Sequence, residues 1–568
     1  MFHKRLAVFT LLIMQALYPC AATGYHYYFV YFKDKQHTPY SIAAPQKYLS
    51  DKAIARREKF NISIDSSDLP LTPLYVQTIA GIKGIELWNR SKWLNALEIR
   101  TTDTLAVSGL NMLTFVRNIQ YLGYVNEDPN KPEAIDSSFL RSSKTNMKSP
   151  LTEESYGRAF EQNNLINLLP LHNKGYRGNG ISIAILDAGF NNAYRIPGVN
   201  INESNTPCRD FVTHDNSIWE DDRHGANVFG FMRAFQPGTY IGTAPFANYM
   251  LLRTEQTSSE TPAEEVNWVA AAEYADSAGV DMISSSLGYT VFDNPALGHT
   301  FKEYNGKTTI VAKGANAAVA KGIAVVVSAG NEGNNSWEKI GTPGDAPSVI
   351  TIGATDDKGY YADFSSRGRT ADGRIKPDLT AMGKKAYVTS PGGTYQGNGT
   401  SYATPIFAGA LACLIESCPG KTPAQLKTAL LQSGTHSFNP DSLYGYGIPD
   451  VTLASMLLGN YQGTDTTKDI FWQHDKGPAF REQLIHFRSA GTQKVTLVIK
   501  GLKKKKWKNI AVFSYDLKPG EWLHNNEVQN AIANTLKLKK RKRLKMVSYE
   551  FITASATWMR SFTLQVSK

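Results

Sequence analysis

Four short runs in this 568-residue chain place a hydroxyl, an imidazole, a carboxylate and a carboxamide where strands end or helices begin. In Gly397-Asn-Gly-Thr-Ser401-Tyr-Ala-Thr-Pro405, Gly399 and Thr400 allow a sharp turn, and Pro405 suits only the first turn of a helix. Ala403, Ala408, Gly409, Ala410 and Ala412 let that helix pass through a crowded interior. Ser401 then lies in the positive field of a helix N-terminus, where a nucleophile would stand. A nucleophilic serine needs a base, and the base needs a carboxylate to hold its tautomer. Ile181-Ser-Ile-Ala-Ile-Leu-Asp187-Ala-Gly189 reads as a buried parallel strand that delivers Asp187 at its C-terminal end. Asp221-Asp-Arg-His224-Gly-Ala-Asn places His224 just before a helical pattern. In Gly322-Ile-Ala-Val-Val-Val-Ser-Ala-Gly-Asn331 a second buried strand runs into an amide that could stabilise an oxyanion.

The four runs, in the order Asp, His, Asn, Ser, resemble the Asp-Thr-Gly, His-Gly-Thr-His-Val, Ala-Gly-Asn and Gly-Thr-Ser-x-Ala-x-Pro signatures of the subtilisin-like serine proteases, the subtilases. The resemblance covers roughly residues 155 to 457. It implies that Asp187 orients, His224 is the general base, Ser401 attacks and Asn331 donates to the oxyanion. Asp281-Met-Ile-Ser-Ser-Ser286-Leu-Gly288 resembles the family strand that pairs with substrate backbone, so Ser286, Leu287 and Gly288 are expected to wall the S1 pocket. Phe364-Ser-Ser-Arg-Gly368 and Lys376-Pro-Asp-Leu-Thr-Ala381 also look like family segments. Ala188, Ala226, Asn227 and Met382 depart from the pattern, and none removes a group that moves a proton or an electron pair. The chemistry requires no cofactor. Many relatives carry structural calcium, but no acidic calcium loop stands out, so metal ligands are unknown.

The elements that would position these groups follow from periodicity. Apolar runs near 181–186, 249–253, 280–285, 323–328 and 348–353 alternate with helical patterns such as Pro262–Ala278 and Thr422–Ser433, which implies an α/β domain over 155–457, a subtilisin-like parallel sheet flanked by helices. Residues 290–310 look like a surface insertion beside the S1 wall. Residues 25–130 read as a separate α+β module: strand at Tyr25–Phe32, capped helix at Ser50–Lys59, strand at Trp93–Ile99, helix at Thr104–Val116 and an extended Arg117–Val125. That succession suits a ferredoxin-like unit and resembles the N-terminal propeptide of bacterial secreted subtilases; the other reading is a permanent accessory domain. Residues 131–154 have linker composition, where a maturation cut would fall.

The first 24 residues have a basic start, a short apolar run and small residues at Ala21, Ala22 and Gly24, as a cleaved secretory signal does; Tyr18 and Pro19 fit a lipoprotein site at Cys20 poorly. No other run is apolar for the ~20 residues needed to cross a bilayer. The protein is therefore expected outside the cytoplasm, secreted or in the periplasm or cell envelope. Cys208, Cys413 and Cys418 make no even set, so packed thiols rather than a disulfide framework are expected.

The formal net charge is +11, yet from Asn460 onward 21 Lys and Arg face 8 Asp and Glu, so all the excess lies in 458–568, which reads as a basic β-rich domain, a small β-sandwich. Its runs Lys503–Lys508 and Lys537–Lys545 would suit an anionic envelope polymer or membrane surface; solvated hairpin turns are the plainer reading. No nucleic-acid partner is expected.

The expected function is a secreted serine endopeptidase made as a zymogen, acting on proteins or peptides through an acyl-enzyme. The alternative is a catalytically silent subtilase fold that binds surfaces or acts as an adhesin. If the tail docks on anionic surfaces, retention on anionic vesicles should weaken as salt approaches ~0.5 M, where the Debye length is a few ångströms. Truncation near residue 460 that left retention unchanged would reduce the basic runs to solvated surface.

Overall fold

The computed structural model describes residues 24–126 and 151–563, apart from residues 202–205, 216, 438, 460–469, 476–482, 490–491, 504–505, 519–520, 539–545 and 554–556. The signal segment and Cys20, most of the expected linker, the basic run beyond Leu538 and the last residues of the expected final strand lie outside the described residues.

The N-terminal module comprises β1 Gly24–Phe32, α1 Asp51–Lys59, α2 Pro73–Ala80, β2 Glu86–Ser91, β3 Ala96–Thr101 and β4 Val116–Asn126. Its antiparallel sheet has the order β2-β3-β1-β4, the split arrangement of a ferredoxin-like unit. Ser50 caps α1 through a hydrogen bond that its Oγ accepts from the Ala53 N–H. Val30, Phe32, Leu97 and Ile99 pack with Val76 and Ile79 of α2. Two expectations need correction. Trp93–Ile99 is a turn followed by a strand, because Asn95 takes a left-handed conformation (φ 51°) that short polar side chains tolerate. Thr104–Val116 is not a helix but two 3-10 turns, Thr104–Val107 and Leu110–Met112, separated by the poor helix formers Ser108 and Gly109. The helix α2, opened by Pro73, was not anticipated.

The central domain comprises β5 Ser182–Asp187, β6 Cys208–Asp210, α3 His224–Arg233, β7 Asn248–Arg253, α4 Ala263–Ala278, β8 Met282–Ser285, α5 Ile310–Ala320, β9 Ala324–Ser328, β10 Ile350–Thr355, β11 Leu379–Met382, α6 Thr400–Ser417, α7 Pro423–Gln432 and α8 Val451–Leu457. Seven strands form one parallel sheet of order β11-β10-β9-β8-β5-β7-β6. Both faces are covered, α3 and α6 packing on one and α4 and α5 on the other, which is why the strands are apolar without alternation. Pro405 stands sixth in α6, beyond the first turn to which the sequence reading confined it. The segment 290–310 is anchored rather than a free surface loop, since Phe292 and Tyr304 are buried.

The C-terminal region comprises β12 Ile470–Asp475, β13 Gln483–Arg488, β14 Gln493–Lys503, β15 Lys506–Leu517, β16 Trp522–Leu523, α9 Asn525–Leu538, β17 Met546–Ile552 and β18 Thr557–Thr563. Antiparallel sheets of order β12-β13-β16 and β15-β14-β17-β18 share a core of Phe487, Val495, Leu497 and Phe551. Val528, Ala531 and Ile532 of α9 join that core, so the expected sandwich carries a helix that the sequence reading missed. Among the described residues no helix is long and apolar enough to cross a membrane, and Cys208, Cys413 and Cys418 form no disulfide.

The module docks on the central domain through an apolar face, Tyr27, Phe29 and Leu122 sharing a core with Val266 and Val269 of α4, and through buried charge. The Asp276 carboxylate at the end of α4 receives Arg56 at 2.5 Å, Arg57 at 3.0 Å and Lys92 at 2.9 Å, all from the module. Arg57 also pairs with Asp68 at 2.6 Å, and Asp68 with Lys321 of the central domain at 2.9 Å. Breaking a buried pair from one side strands the other charges. Asp276→Ala should therefore cost about 3–5 kcal/mol, whereas Glu86→Ala, whose half-exposed carboxylate pairs with Arg100 at 2.8 Å, should cost under ~1 kcal/mol. Equal shifts in the thermal midpoint of the two variants would show that the buried network contributes nothing special.

Candidate active site

Parallel strand direction sends every strand's C-terminal end to one edge of the sheet, and the predicted residues meet there. Asp187 is the last residue of β5 and fully buried. Its Oδ1 accepts the Ala188 N–H at 2.8 Å and His224 Nδ1–H at 2.7 Å, while Oδ2 has no partner among the described residues. His224 opens α3, with its own N–H tied to Asp222 Oδ1 at 2.6 Å. Gly225 is what allows the approach, because a Cβ there would stand 2.4 Å from the Gly189 carbonyl and 2.9 Å from Asp187 Cβ.

Burial opposes an imidazolium at His224, but the Asp187 carboxylate, its hydrogen bond, Asp222 and Glu255 outweigh burial and raise the pKa above the ordinary value. The side chain is 31% exposed toward the cleft. Neutral His224 with Nδ1–H held by Asp187 leaves Nε2 as the acceptor, the tautomer a general base requires.

Ser401 is the second residue of α6. Pro405, four residues on, has no N–H, so the Ser401 carbonyl lacks its helical partner. Ser286 Oγ, just past the end of β8, supplies the missing donor at 3.0 Å. Ser401 Oγ in turn donates to the Ser286 carbonyl at 3.4 Å, not to His224. The two bonds tie the Ser286–Gly288 segment to the mouth of α6.

Asn331 follows β9 across Ala329 and Gly330. Its Oδ1 accepts the Thr400 N–H at 2.9 Å and Thr400 Oγ1–H at 3.1 Å. Since a backbone N–H can only donate, the oxygen must face Thr400, which leaves Nδ2 without an acceptor among the described residues. Thr400 also accepts the Gly330 N–H at 3.2 Å. Thr400 thus aims the amide, a role the sequence reading missed by treating it only as a turn residue.

His224, Ser286, Leu287, Gly288, Asn331 and Ser401 all line one cleft of about 480 Å³; Asp187 lies behind His224. Glu255–Glu260, after β7, and Glu264 from α4 line the same cleft. These glutamates were also missed, although Glu255 and Glu260 fall within seven residues of the end of β7. Among the described residues no group of His, Cys, Asp and Glu could hold a metal ion.

The Subtilase family profile matches residues 178–447, and the profile of the peptidase S8 propeptide domain of Bacteroidota matches residues 27–137. Subtilisin E of Bacillus subtilis (strain 168) is 32% identical over 290 residues, 50% of this chain and 68% of its own. Subtilisin of Bacillus pumilus is 32% identical over 289 residues, covering 50% of this chain and 94% of its own. The crystal structure of MycP1 from Mycobacterium smegmatis overlays 52% of this chain and 84% of its own, at 21% identity and a TM-score of 0.41.

The electrostatics of His224 can be tested without substrate. Its imidazole should titrate above the usual ~6.5, and Asp187→Asn, which removes the charge but keeps the shape, should bring the midpoint below that value because burial then acts without its main opponent. Imidazole nitrogen chemical shifts measured against pH would decide; an unchanged midpoint in the variant would show that Asp187 does not set it.

Proposed function

The chain belongs to the subtilase family, and from that premise we propose that it is a serine endopeptidase made as a zymogen and secreted. Its substrates are proteins or peptides. Asp187 orients His224, His224 takes the Ser401 proton, and Ser401 attacks the peptide carbonyl. Asn331 Nδ2 and the Ser401 N–H receive the oxyanion, and water releases the acyl-enzyme. The observation that carries this reading is the 2.7 Å Asp187–His224 bond opening on the same cleft as Ser401 and Asn331.

The Ser401 hydroxyl has to leave the Ser286 carbonyl before it can donate to Nε2. A substrate strand that lays its N–H on the Ser286 carbonyl would displace that hydroxyl, so binding itself would ready the nucleophile. Catalytic hydrogen bonds commonly tighten only in the Michaelis complex.

The zymogen part rests on where the module ends. Val125 and Asn126, the last residues of β4, share a cavity of about 520 Å³ with Gln256, Thr257 and Ser258. Those three residues also wall the catalytic cleft. The chain after Asn126 therefore starts beside the site that would cut it. The exposed Lys506, Trp507 and Lys508 support an anionic-surface role for the tail as a further part of the proposal.

Ser401→Ala should give a folded chain that keeps its N-terminal module and is not labelled by a fluorophosphonate, while the native chain is labelled and loses the module. Mass spectrometry of both, purified with host proteases inhibited, provides the comparison. The same new N-terminus in both would assign the cut to another protease, and an unlabelled native chain would favour a silent binding protein.

A further inference from the structure

We propose that the catalytic cleft selects substrates carrying a lysine or arginine side chain on the acyl side of the scissile bond, with Glu255 and Glu260 receiving the cation. This rests on the peptidase reading above. Five carboxylates line the cleft, from Glu255, Glu260, Glu264, Asp293 and Glu332, and no lysine or arginine does. A cation entering such a cleft meets acceptors of one sign and no competing cation among the described residues.

The five are not equivalent. Glu264 is structural, since Oε1 accepts the Gln256 N–H at 2.8 Å and Oε2 the Thr261 N–H at 3.0 Å, which folds the loop after β7 back onto α4. Asp293 Oδ2 accepts the Glu260 N–H at 3.0 Å and Glu332 reaches Asn335, so both are engaged. Glu255 is only 8% exposed, and its Oε1 takes the hydroxyls of Thr254 at 2.7 Å and Tyr289 at 2.8 Å. Its Oε2 has no donor among the described residues, at the wall of the cleft. The Glu260 carboxylate likewise accepts no hydrogen bond among the described residues.

Thr257, Ser258 and Ser259, all with small side chains, line the same cleft, as do Ser286, Leu287 and Gly288. Burial and then mutual repulsion push Glu255 up to about 8, and burial with Asp293 pushes Glu260 up to about 7. Carboxylates held together without a counter-charge behave in this way. An incoming ammonium or guanidinium would supply that charge and release the protons.

The test uses the full-length chain after it has processed itself, with matched peptides carrying arginine, lysine, citrulline, norleucine or glutamate at each of the four positions before the cleaved bond. At one or more positions arginine or lysine should exceed citrulline in kcat/KM by about tenfold, more so at low salt. Glu255→Gln and Glu260→Gln should each lower that ratio at least about threefold, chiefly through KM. If Glu255→Gln does not fold, the partly exposed Glu260→Gln decides alone. Peptides cut without preference for the cation, or a preference that the folded variants leave intact, would overturn this inference and leave the peptidase reading standing. No peptide cut and no fluorophosphonate labelling would overturn both.

Discussion

Strands that run the same way must all exit on the same edge, and the site of this protein is assembled from those exits. Asp187 ends β5, Glu255 follows β7, Ser286 follows β8 and Asn331 follows β9. The chain leaves β5 for β6 and β7 on one side and then crosses to β8 on the other, so a crevice opens where the order reverses. The helices that return from that edge, α3 and α6, begin there by necessity. That gives His224 and Ser401 to the same crevice at no further cost in chain length.

A shared edge brings residues near one another but does not aim them. Aim comes from backbone groups left over by local chemistry. Pro405 frees a carbonyl that a regular helix would have used, and Ser286 occupies it. The first turn of α6 has N–H groups with no helical partner, and Asn331 Oδ1 takes the one on Thr400. Both cross-links join strand ends to the same helix start, so the alignment of the Ser401 hydroxyl, the Asn331 amide and the Ser286–Gly288 segment depends on the irregular end of one helix. The departures at Ala188 and Asn227 touch none of these bonds, which explains how the motifs can vary there.

The residues that meet at the candidate site were legible because each couples an uncommon side chain to a turn signal at the end of an apolar run. The parallel strands were legible for the same reason: burial on both faces leaves unbroken apolar runs that no loop would have. What was not legible depended on partners distant in sequence. Thr400 looked like a turn residue until Asn331, 69 positions earlier, was placed against it. Glu255 and Glu260 lie between a strand and a helix with no motif or turn signal of their own. Thr104–Val116 had helical spacing, but Ser108 and Gly109 were enough to break a short segment into 3-10 turns that packing then kept. In α9 the spacing of Val528, Ala531 and Ile532 is helical, but the segment is short and set among β-branched strands and lysine runs, so its apolar face is defined only by the core it joins.

The helix α4 shows most plainly how long-range partners overrule composition. Glu264, Glu265, Asn267, Glu273 and Asp276 would mark a helix washed by solvent on one side, yet all are buried. Each has its own partner. Glu264 holds the cleft loop, Glu265 takes the Val311 N–H at the start of α5, and Asn267 accepts from Asn89 of the module. Glu273 accepts from Ser91, Lys92 and Trp93, while Asp276 takes three cations. One end of the helix therefore borders the cleft and the other anchors the module. On the zymogen reading this division has a physical advantage. The apolar part of the interface, where Tyr27, Phe29 and Leu122 share a core with Val266 and Val269, leaves a sticky patch once the module departs, and a wholly apolar anchor would leave a larger one. Carboxylates that are costly to bury without a partner are simply rehydrated when exposed. The charged part of the anchor thus lets the module fit its domain specifically and limits the apolar area left exposed when it departs.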